Sequence, residues 1–252
     1  MNAFIRRCGG LWLVLALQLA LVGCATVGGT SSDPRDPWES YNRKIWGFNE
    51  ALDEAILLPV ARGYQQAVPE LVRTGVNNFF GNLSDVWSLV NNVLQLKPRE
   101  SVQTFARVSL NSTVGLFGVI DVASDVNLPR HREDFGQTLG HWGMPSGPYF
   151  VLPLLGGSTM RDALALPLDW KGDLVRSIDD NPLRYGLLGS RLVNGRANVM
   201  DMARVIDAAA LDKYSFMRDA YLQRRRGTAD KPVSAPGPEE RFDLPEAATP
   251  AR

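Results

Sequence analysis

Hydrophobic residues recur every three or four positions through most of this chain, which is the period of an α-helix with one apolar face. The first such segment is rich in aromatic residues, and charged residues fill the positions between its apolar ones. We call its apolar face the aromatic stripe; it consists of Trp38, Tyr41, Ile45, Phe48 and Leu52. The stripe predicts an amphipathic helix.

The same period predicts further helices in the middle of the chain. They are expected to be short, because glycine, proline and asparagine interrupt the pattern and such residues commonly break helices. The three expected helices cover residues 71–83, 86–96 and 100–110, with breaks at Gly81, Pro98 and Asn111.

The second half of the chain continues the helical pattern. A long helix is predicted after Pro182, and a last one ends in the basic residues 224–226, where cations stabilise the negative end of a helix dipole. A solvated helix end is the favoured interpretation of these three residues, and a lipid head-group site is the alternative. Strand patterns are scarce, and residues 149–152, which lie between two prolines, form the one short segment that reads as extended. The sequence therefore predicts an all-α fold.

Residues 1–23 have the features of a secretory signal peptide. Two arginines near the start precede an apolar run at 11–22, which is too short to cross a bilayer core about 30 Å thick. The run leads into the sequence LVGC at 21–24, which resembles a bacterial lipobox, whose cysteine receives a diacylglycerol. A signal peptide with a chance cysteine is the alternative. We therefore expect a mature chain anchored by lipid on Cys24, and Ala25 after it favours the outer membrane.

Composition divides the mature chain into three parts. Residues 24–36 are rich in Gly, Ser and Pro and predict a flexible tether. Residues 37–226 carry the helical pattern and form the predicted domain. Residues 227–252 contain many prolines and few large apolar residues, so they are expected to be a disordered tail, because too little burial is available to offset the entropy of ordering.

The charge balance argues against a nucleic-acid-binding protein. The 252 residues include 27 basic and 27 acidic ones, without the basic surplus typical of that class. Removal of residues 1–23 takes away two arginines and no acid, which leaves 25 basic and 27 acidic residues and a net charge of −2. It also removes Cys8, so Cys24 is the one cysteine left and a disulfide is excluded.

No set of residues in the sequence predicts catalysis. Residues 131–136 contain a DFG and part of an HRD, but the other kinase motifs are missing. The two histidines are ten residues apart, off the helical spacing of a zinc pair, and no G-x-S-x-G nucleophile motif occurs. We expect a protein that is not an enzyme and that uses no metal and no cofactor.

A series of short motifs follows a familiar order along the first two thirds of the chain. This order, together with the lipobox, closely resembles the MlaA (VacJ) lipoprotein family over about residues 36–169, and the resemblance weakens in the later helices. The motifs are DPWE (36–39), NR (42–43), FN (48–49), LD (52–53), PVA (59–61), NFFGNL (78–83), NNVLQ (91–95), NSTVGL (111–116), DVA (121–123), EDFGQTLG (133–140), GPY (147–149), LP (152–153) and RD (161–162).

The resemblance implies an outer-membrane lipoprotein that maintains lipid asymmetry. Members of the family remove mislocalised phospholipid from the outer leaflet and pass it to a periplasmic carrier that feeds an inner-membrane ABC transporter. The implied fold is a ring of amphipathic helices in the inner leaflet around a central amphipathic channel, associated with trimeric porins. A structural envelope or porin-associated lipoprotein without lipid transport is the alternative function, and a lipase-like hydrolase is a third.

Two sets of residues acquire a possible role from this resemblance. The aromatic stripe fits a helix lying in the membrane interface, because Trp and Tyr favour that zone, although a core-facing stripe gives the same pattern. Glycines beside the expected channel are candidates for a channel or gating loop, and plain structural turns are the alternative. These glycines are Gly143, Gly147, Gly156 and Gly157.

Overall fold

Residues 33–229 are described by a computed structural model, in which helices account for most of the chain. The predicted signal peptide, the lipidated Cys24 and nearly all of the predicted tail lie outside the described residues. In chain order the elements are α1 (Glu39–Leu52), a π-helical turn (Asp53–Leu57), α2 (Leu58–Ala67), α3 (Glu70–Leu94), α4 (Pro98–Thr113), α5 (Val122–Asp125), α6 (Phe135–His141), β1 (Tyr149–Leu152), β2 (Gly156–Thr159), α7 (Met160–Gly172), α8 (Asn181–Ala209) and α9 (Lys213–Ala229).

The break predicted at Gly81 is wrong, because α3 runs through it without interruption. Gly81 leaves room for the guanidinium of Arg130, which would have to shift if a Cβ were present there. The break at Pro98 marks the first turn of α4, where proline is tolerated because its missing N–H would have no partner inside the helix. Asn111, the third predicted break, lies within α4 and is buried.

The all-α prediction is confirmed, with one small sheet. The extended segment predicted at 149–152 is β1, which pairs antiparallel with β2 in a hairpin that the sequence pattern did not predict. The long helix predicted after Pro182 is α8, which packs against α2 and α3. The last helix, α9, continues to Ala229, three residues into the segment that was predicted to be a tail.

The interior is more polar than that of an ordinary globular domain. Among the described residues, 11 hydrophobic and 18 polar or charged residues are buried, and 36 large hydrophobic residues are exposed. The two buried hydrophobic clusters are small: Tyr149, Val151, Tyr214 and Leu222 form one, and Ala61, Ala197 and Met200 form the other. The helices therefore turn much of their apolar surface outward. No helix in the range 33–229 is long and apolar enough to cross a membrane.

Candidate functional site

The aromatic stripe of α1 is divided between the surface and the interior. Trp38, Tyr41 and Phe48 are exposed by 41%, 49% and 53%. Ile45 and Leu52 are half-buried, and Ile45 packs against the cluster around Tyr149. The aromatic members therefore present apolar surface outward, as a membrane-facing helix does, while the aliphatic members turn toward protein.

The buried face of α1 is polar, and sequence reasoning missed it. The amide nitrogen of Asn42 donates to Asp36 Oδ1 at 2.7 Å, and its amide oxygen accepts from the backbone N–H of Val151 at 2.8 Å. Two turns further along α1, the amide nitrogen of Asn49 donates to the backbone oxygen of Leu152, the last residue of β1, at 3.0 Å. Its amide oxygen accepts from the backbone N–H of Leu154. The seven-residue spacing of two asparagines on one face was the available signal.

The segment just before α1 is fixed to α9. Asp36 is fully buried; its Oδ2 accepts from the Tyr214 hydroxyl at 2.5 Å and from Arg218 at 3.3 Å. Burial, followed by the hydrogen bond to Asp36, raises the pKa of Tyr214 above its usual value. The chain that follows the predicted tether thus enters the domain at a fixed point beside the last helix.

A buried ionic group lies between α3, α4 and the residues on either side of α5. Arg107 is 1% exposed, and its Nη2 donates to both carboxylate oxygens of Asp121 at 2.9 and 3.0 Å. Arg130 Nε donates to the buried Asp85 at 2.8 Å. Burial raises the pKa of Asp85 in spite of its two arginine neighbours. At Asp121 burial acts in the same direction, but hydrogen bonds from Ser124 and the α4 side chains outweigh it and lower the pKa to about 2.

The polar surface continues along α3 toward α6. Thr138 donates its hydroxyl to Asn91 Oδ1 at 2.8 Å, and Gln95 donates to Thr138 at 3.0 Å. On α3 and α4, the side turned away from these polar contacts is apolar and exposed. Its members include Leu71, Val72, Val90, Val93, Val102 and Phe105. The helices α3 and α4 are therefore amphipathic with the usual orientation reversed: the polar face is buried and part of the apolar face is exposed.

A cavity of about 610 Å³ opens beside the loop between α6 and β1. Gly143 and Gly147 line it, and both adopt positive φ angles of 93° and 68°, which favour glycine. The two other predicted glycines are elsewhere: Gly156 and Gly157 belong to β2, opposite Leu152 and Val151. A Cβ at Gly157 would lie 2.5 Å from the Tyr149 hydroxyl, so close packing of the hairpin explains that residue.

Four arginines line the same cavity: Arg35, Arg161, Arg225 and Arg226. Sequence reasoning favoured a solvated helix end over a lipid head-group site for the triplet 224–226. It included Arg161 only as part of the RD motif at 161–162, and it did not single out Arg35. In the described part of the chain, no three His, Cys, Asp or Glu residues are placed to hold a metal ion.

Comparison with known proteins places this architecture among lipoproteins. The model of the MlaA lipoprotein family matches residues 34–228, so the similarity continues through the later helices, where the motif resemblance weakens. The intermembrane phospholipid transport system lipoprotein MlaA of Escherichia coli K12 is 36% identical over 214 residues, 81% of this chain and 82% of the relative. An uncharacterized protein of Rickettsia bellii is 35% identical over 205 residues, 78% of each chain.

One solved structure is similar over nearly its whole length. It is described as the structural basis for maintenance of bacterial outer membrane lipid asymmetry, and it covers 77% of this chain and 99% of its own. The TM-score is 0.68 and the sequence identity is 34%. At this identity the likeness extends beyond the helical fold to the sequence that builds it.

Proposed function

The chain belongs to the MlaA lipoprotein family, and on that basis we propose that it transports phospholipid and so maintains the lipid asymmetry of the bacterial outer membrane. It takes mislocalised phospholipid from the outer leaflet toward the periplasm. The observation that carries this proposal is the reversed polarity of its helices. Many large aromatic and aliphatic side chains are exposed, and polar or charged residues outnumber hydrophobic ones among the buried residues, 18 to 11.

The reversed polarity suits a protein that lies in one leaflet. An exposed apolar face is stabilised in hydrocarbon, and an amphipathic helix in the interface buries its apolar side by about 5–10 Å. We propose that the helices form a ring in the inner leaflet, with the polar faces of α1, α3 and α4 turned toward a central passage.

A polar passage addresses the main barrier to lipid transfer. A phospholipid head group is charged, and moving a charge through hydrocarbon without partners costs many kcal/mol. Donors and acceptors along a passage replace the water that the head group loses, while its acyl chains stay in an apolar environment. Buried polar atoms on α3 and α4 support this idea. In the described chain, Asn82 Oδ1, Asn92 Oδ1 and Arg107 Nε are buried without a hydrogen-bond partner.

The proposed anchor and partners follow from the family. We propose that a diacylglycerol on Cys24 and a further acyl chain hold the protein at the outer membrane, since two chains anchor stably where one does not. We also propose that it associates with trimeric porins and hands phospholipid to a periplasmic carrier that feeds an ABC transporter. Transport needs no bond to be made or broken by this protein, so the proposal is a role without enzymatic activity.

Deletion and complementation test the proposed function. Cells that lack this gene are expected to accumulate phospholipid in the outer leaflet, measured by outer-leaflet labelling and by sensitivity to detergent, and the wild-type gene is expected to restore both. An unchanged outer leaflet in the deletion strain would instead favour a lipoprotein that braces the envelope or a porin. Release of fatty acid from phospholipid by the pure protein would favour a hydrolase.

A further inference from the structure

The cavity beside the loop between α6 and β1 has a cationic wall built from distant parts of the chain. Arg35 precedes α1, Arg161 lies in the first turn of α7, and Arg225 and Arg226 lie near the end of α9. Among the described residues that line the cavity, none carries a carboxylate. Three segments that are distant in the sequence therefore bring their guanidinium groups to one opening. A surface that contacts only water does not need this arrangement.

Carboxylates hold three of these arginines from outside the cavity. The side chain of Arg161 is 4% exposed and that of Arg225 is 15% exposed, so both guanidinium groups are fixed by packing as well as by charge. Fixed groups lose little conformational entropy when a ligand arrives. The ion pairs, at N–O distances between 2.5 and 3.2 Å, join Arg35 to Asp33 and Asp219, Arg161 to Asp162, and Arg225 to Asp134 and Asp162.

The remaining wall of the cavity is apolar or lacks side chains. Met144, Pro145 and Leu222 supply apolar surface, and Gly143 and Gly147 leave the backbone accessible. A volume of about 610 Å³ lies within the usual range for small-molecule sites. The cavity thus offers guanidinium donors on one side, three of them held by ion pairs, and apolar surface on the other side, which matches the junction between the head group and the acyl chains of a phospholipid.

We propose that this cavity binds the phosphate ester of a glycerophospholipid, with the arginines on the phosphate and with the apolar wall against the glycerol and the first acyl carbons. Guanidinium groups suit this role because their planar N–H donors match phosphate oxygens in pairs. The inference rests on the proposed phospholipid function and adds to it a defined station for the head group.

A carboxylate placed in the cavity tests the inference without removing any arginine. Ser146 lines the cavity, and the contact recorded for it is made by its backbone oxygen, which accepts from the Arg161 N–H and survives a side-chain change. We expect Ser146→Glu to weaken binding of dihexanoyl phosphatidylglycerol to the full-length protein in detergent by about tenfold or more, the effect of losing one charge-assisted contact. The matched control is Ser190→Glu on the exposed side of α8.

A second pair of variants removes charge from the wall. Arg226→Gln is expected to weaken the same binding by several-fold, whereas Arg204→Gln, at an exposed arginine outside this cavity, is expected to leave it unchanged. Binding is measured by isothermal titration at two salt concentrations, and thermal unfolding of each variant checks that the fold is intact. Higher salt should weaken binding to the wild-type protein more than to Arg226→Gln.

Two further probes distinguish the source of the phosphate. Dihexanoylglycerol, which lacks phosphate, should bind far more weakly than dihexanoyl phosphatidylglycerol, and sn-glycerol 3-phosphate should bind more weakly because it lacks acyl carbons. Equal binding of sn-glycerol 3-phosphate would overturn the lipid assignment. Equal binding of dihexanoylglycerol, or unchanged binding by Ser146→Glu, would overturn the phosphate site. The deletion phenotype is independent of these outcomes, so the cavity inference fails separately from the proposed function.

Discussion

Replacement of Phe48 by Asp distinguishes a membrane-facing aromatic stripe from a core-facing one. Phe48 is 53% exposed, so protein leaves about half of its apolar surface uncovered. Full burial of a phenylalanine side chain contributes about 1.5–3 kcal/mol, so the uncovered half contributes about 1 kcal/mol on entering lipid. A carboxylate facing hydrocarbon adds a penalty of up to about 3 kcal/mol. We expect the free energy of membrane binding to weaken by about 2–4 kcal/mol.

The assay must separate membrane binding from folding and from the lipid anchor. Mature protein carrying Cys24→Ala lacks the covalent lipid, so its sedimentation with phospholipid vesicles reports the exposed apolar surface, and the difference between variants reports the contribution of Phe48. Phe48→Asp should sediment at least about tenfold less well, while Phe48→Leu, which keeps an apolar side chain, should stay close to the parent. In detergent-free buffer, the melting temperature of Phe48→Asp should change little, because the substituted side chain is half outside the protein.

Ile45→Asp provides the opposite case on the same helix. Ile45 packs against the cluster around Tyr149, so a buried carboxylate there should lower the melting temperature strongly. If Phe48→Asp behaved like Ile45→Asp, with lowered melting and unchanged vesicle binding, the stripe would face the core and our reasoning would be refuted.

Three other substitutions probe the interior and the anchor. Asn42→Leu removes the partner of the buried Val151 N–H and should lower the free energy of unfolding by about 2–4 kcal/mol in denaturant titrations, whereas Asn198→Leu, at an exposed amide, should change it by less than about 0.5 kcal/mol. Because the pKa of Asp121 is lowered to about 2, its ionised form stabilises the fold at neutral pH by about 2 kcal/mol. This contribution should disappear as the pH falls from about 4 to 2. The difference in unfolding free energy between the wild-type protein and Asp121→Asn should therefore shrink over that range. In cells, Cys24→Ala should leave precursor that does not fractionate with the outer membrane, and continued outer-membrane fractionation would contradict lipid anchoring.

Helical periodicity predicted the helices because the pattern depends on residues that are close in the sequence. The prediction failed at positions whose structure depends on contacts with residues far along the chain. Gly81 reads as a breaker from its neighbours alone, yet the space that it leaves is filled by Arg130, 49 positions further along the chain. For a related reason, the sequence predicted β1 of the hairpin but not β2. The second strand contains Gly156 and Gly157, which have low strand propensity. Cross-strand packing against Tyr149 selects Gly157, and a positive φ angle of 84° favours glycine at position 156.

The candidate site was predictable only in its outer part. The stripe is visible in the sequence because aromatic residues repeat on one face, whereas the buried polar face was overlooked because apolar residues are expected inside. The signal existed: Asp85, Ser88 and Asn92 follow the same period on α3, Gln95 continues it directly after the helix, and all four are buried. The arginine-lined cavity had only a partial local signal, the basic triplet 224–226, since its four arginines come from three segments that meet only in the fold.

The buried charges bear on the choice between transport and a purely structural role. Arg107 and Asp85 are each 1% exposed, and Arg107 also pairs with Asp121. Buried ion pairs are often no more stabilising than well-packed apolar residues of the same volume, because desolvation offsets much of the attraction. Stability alone therefore does not account for these charges, since an apolar interior would often serve a lipoprotein that only braced the envelope equally well. A protein that conducts charged head groups needs polar side chains in its interior, and it needs apolar side chains outside because it lies in lipid. One requirement, transport of an amphipathic molecule within a membrane, thus accounts for both halves of the reversed pattern.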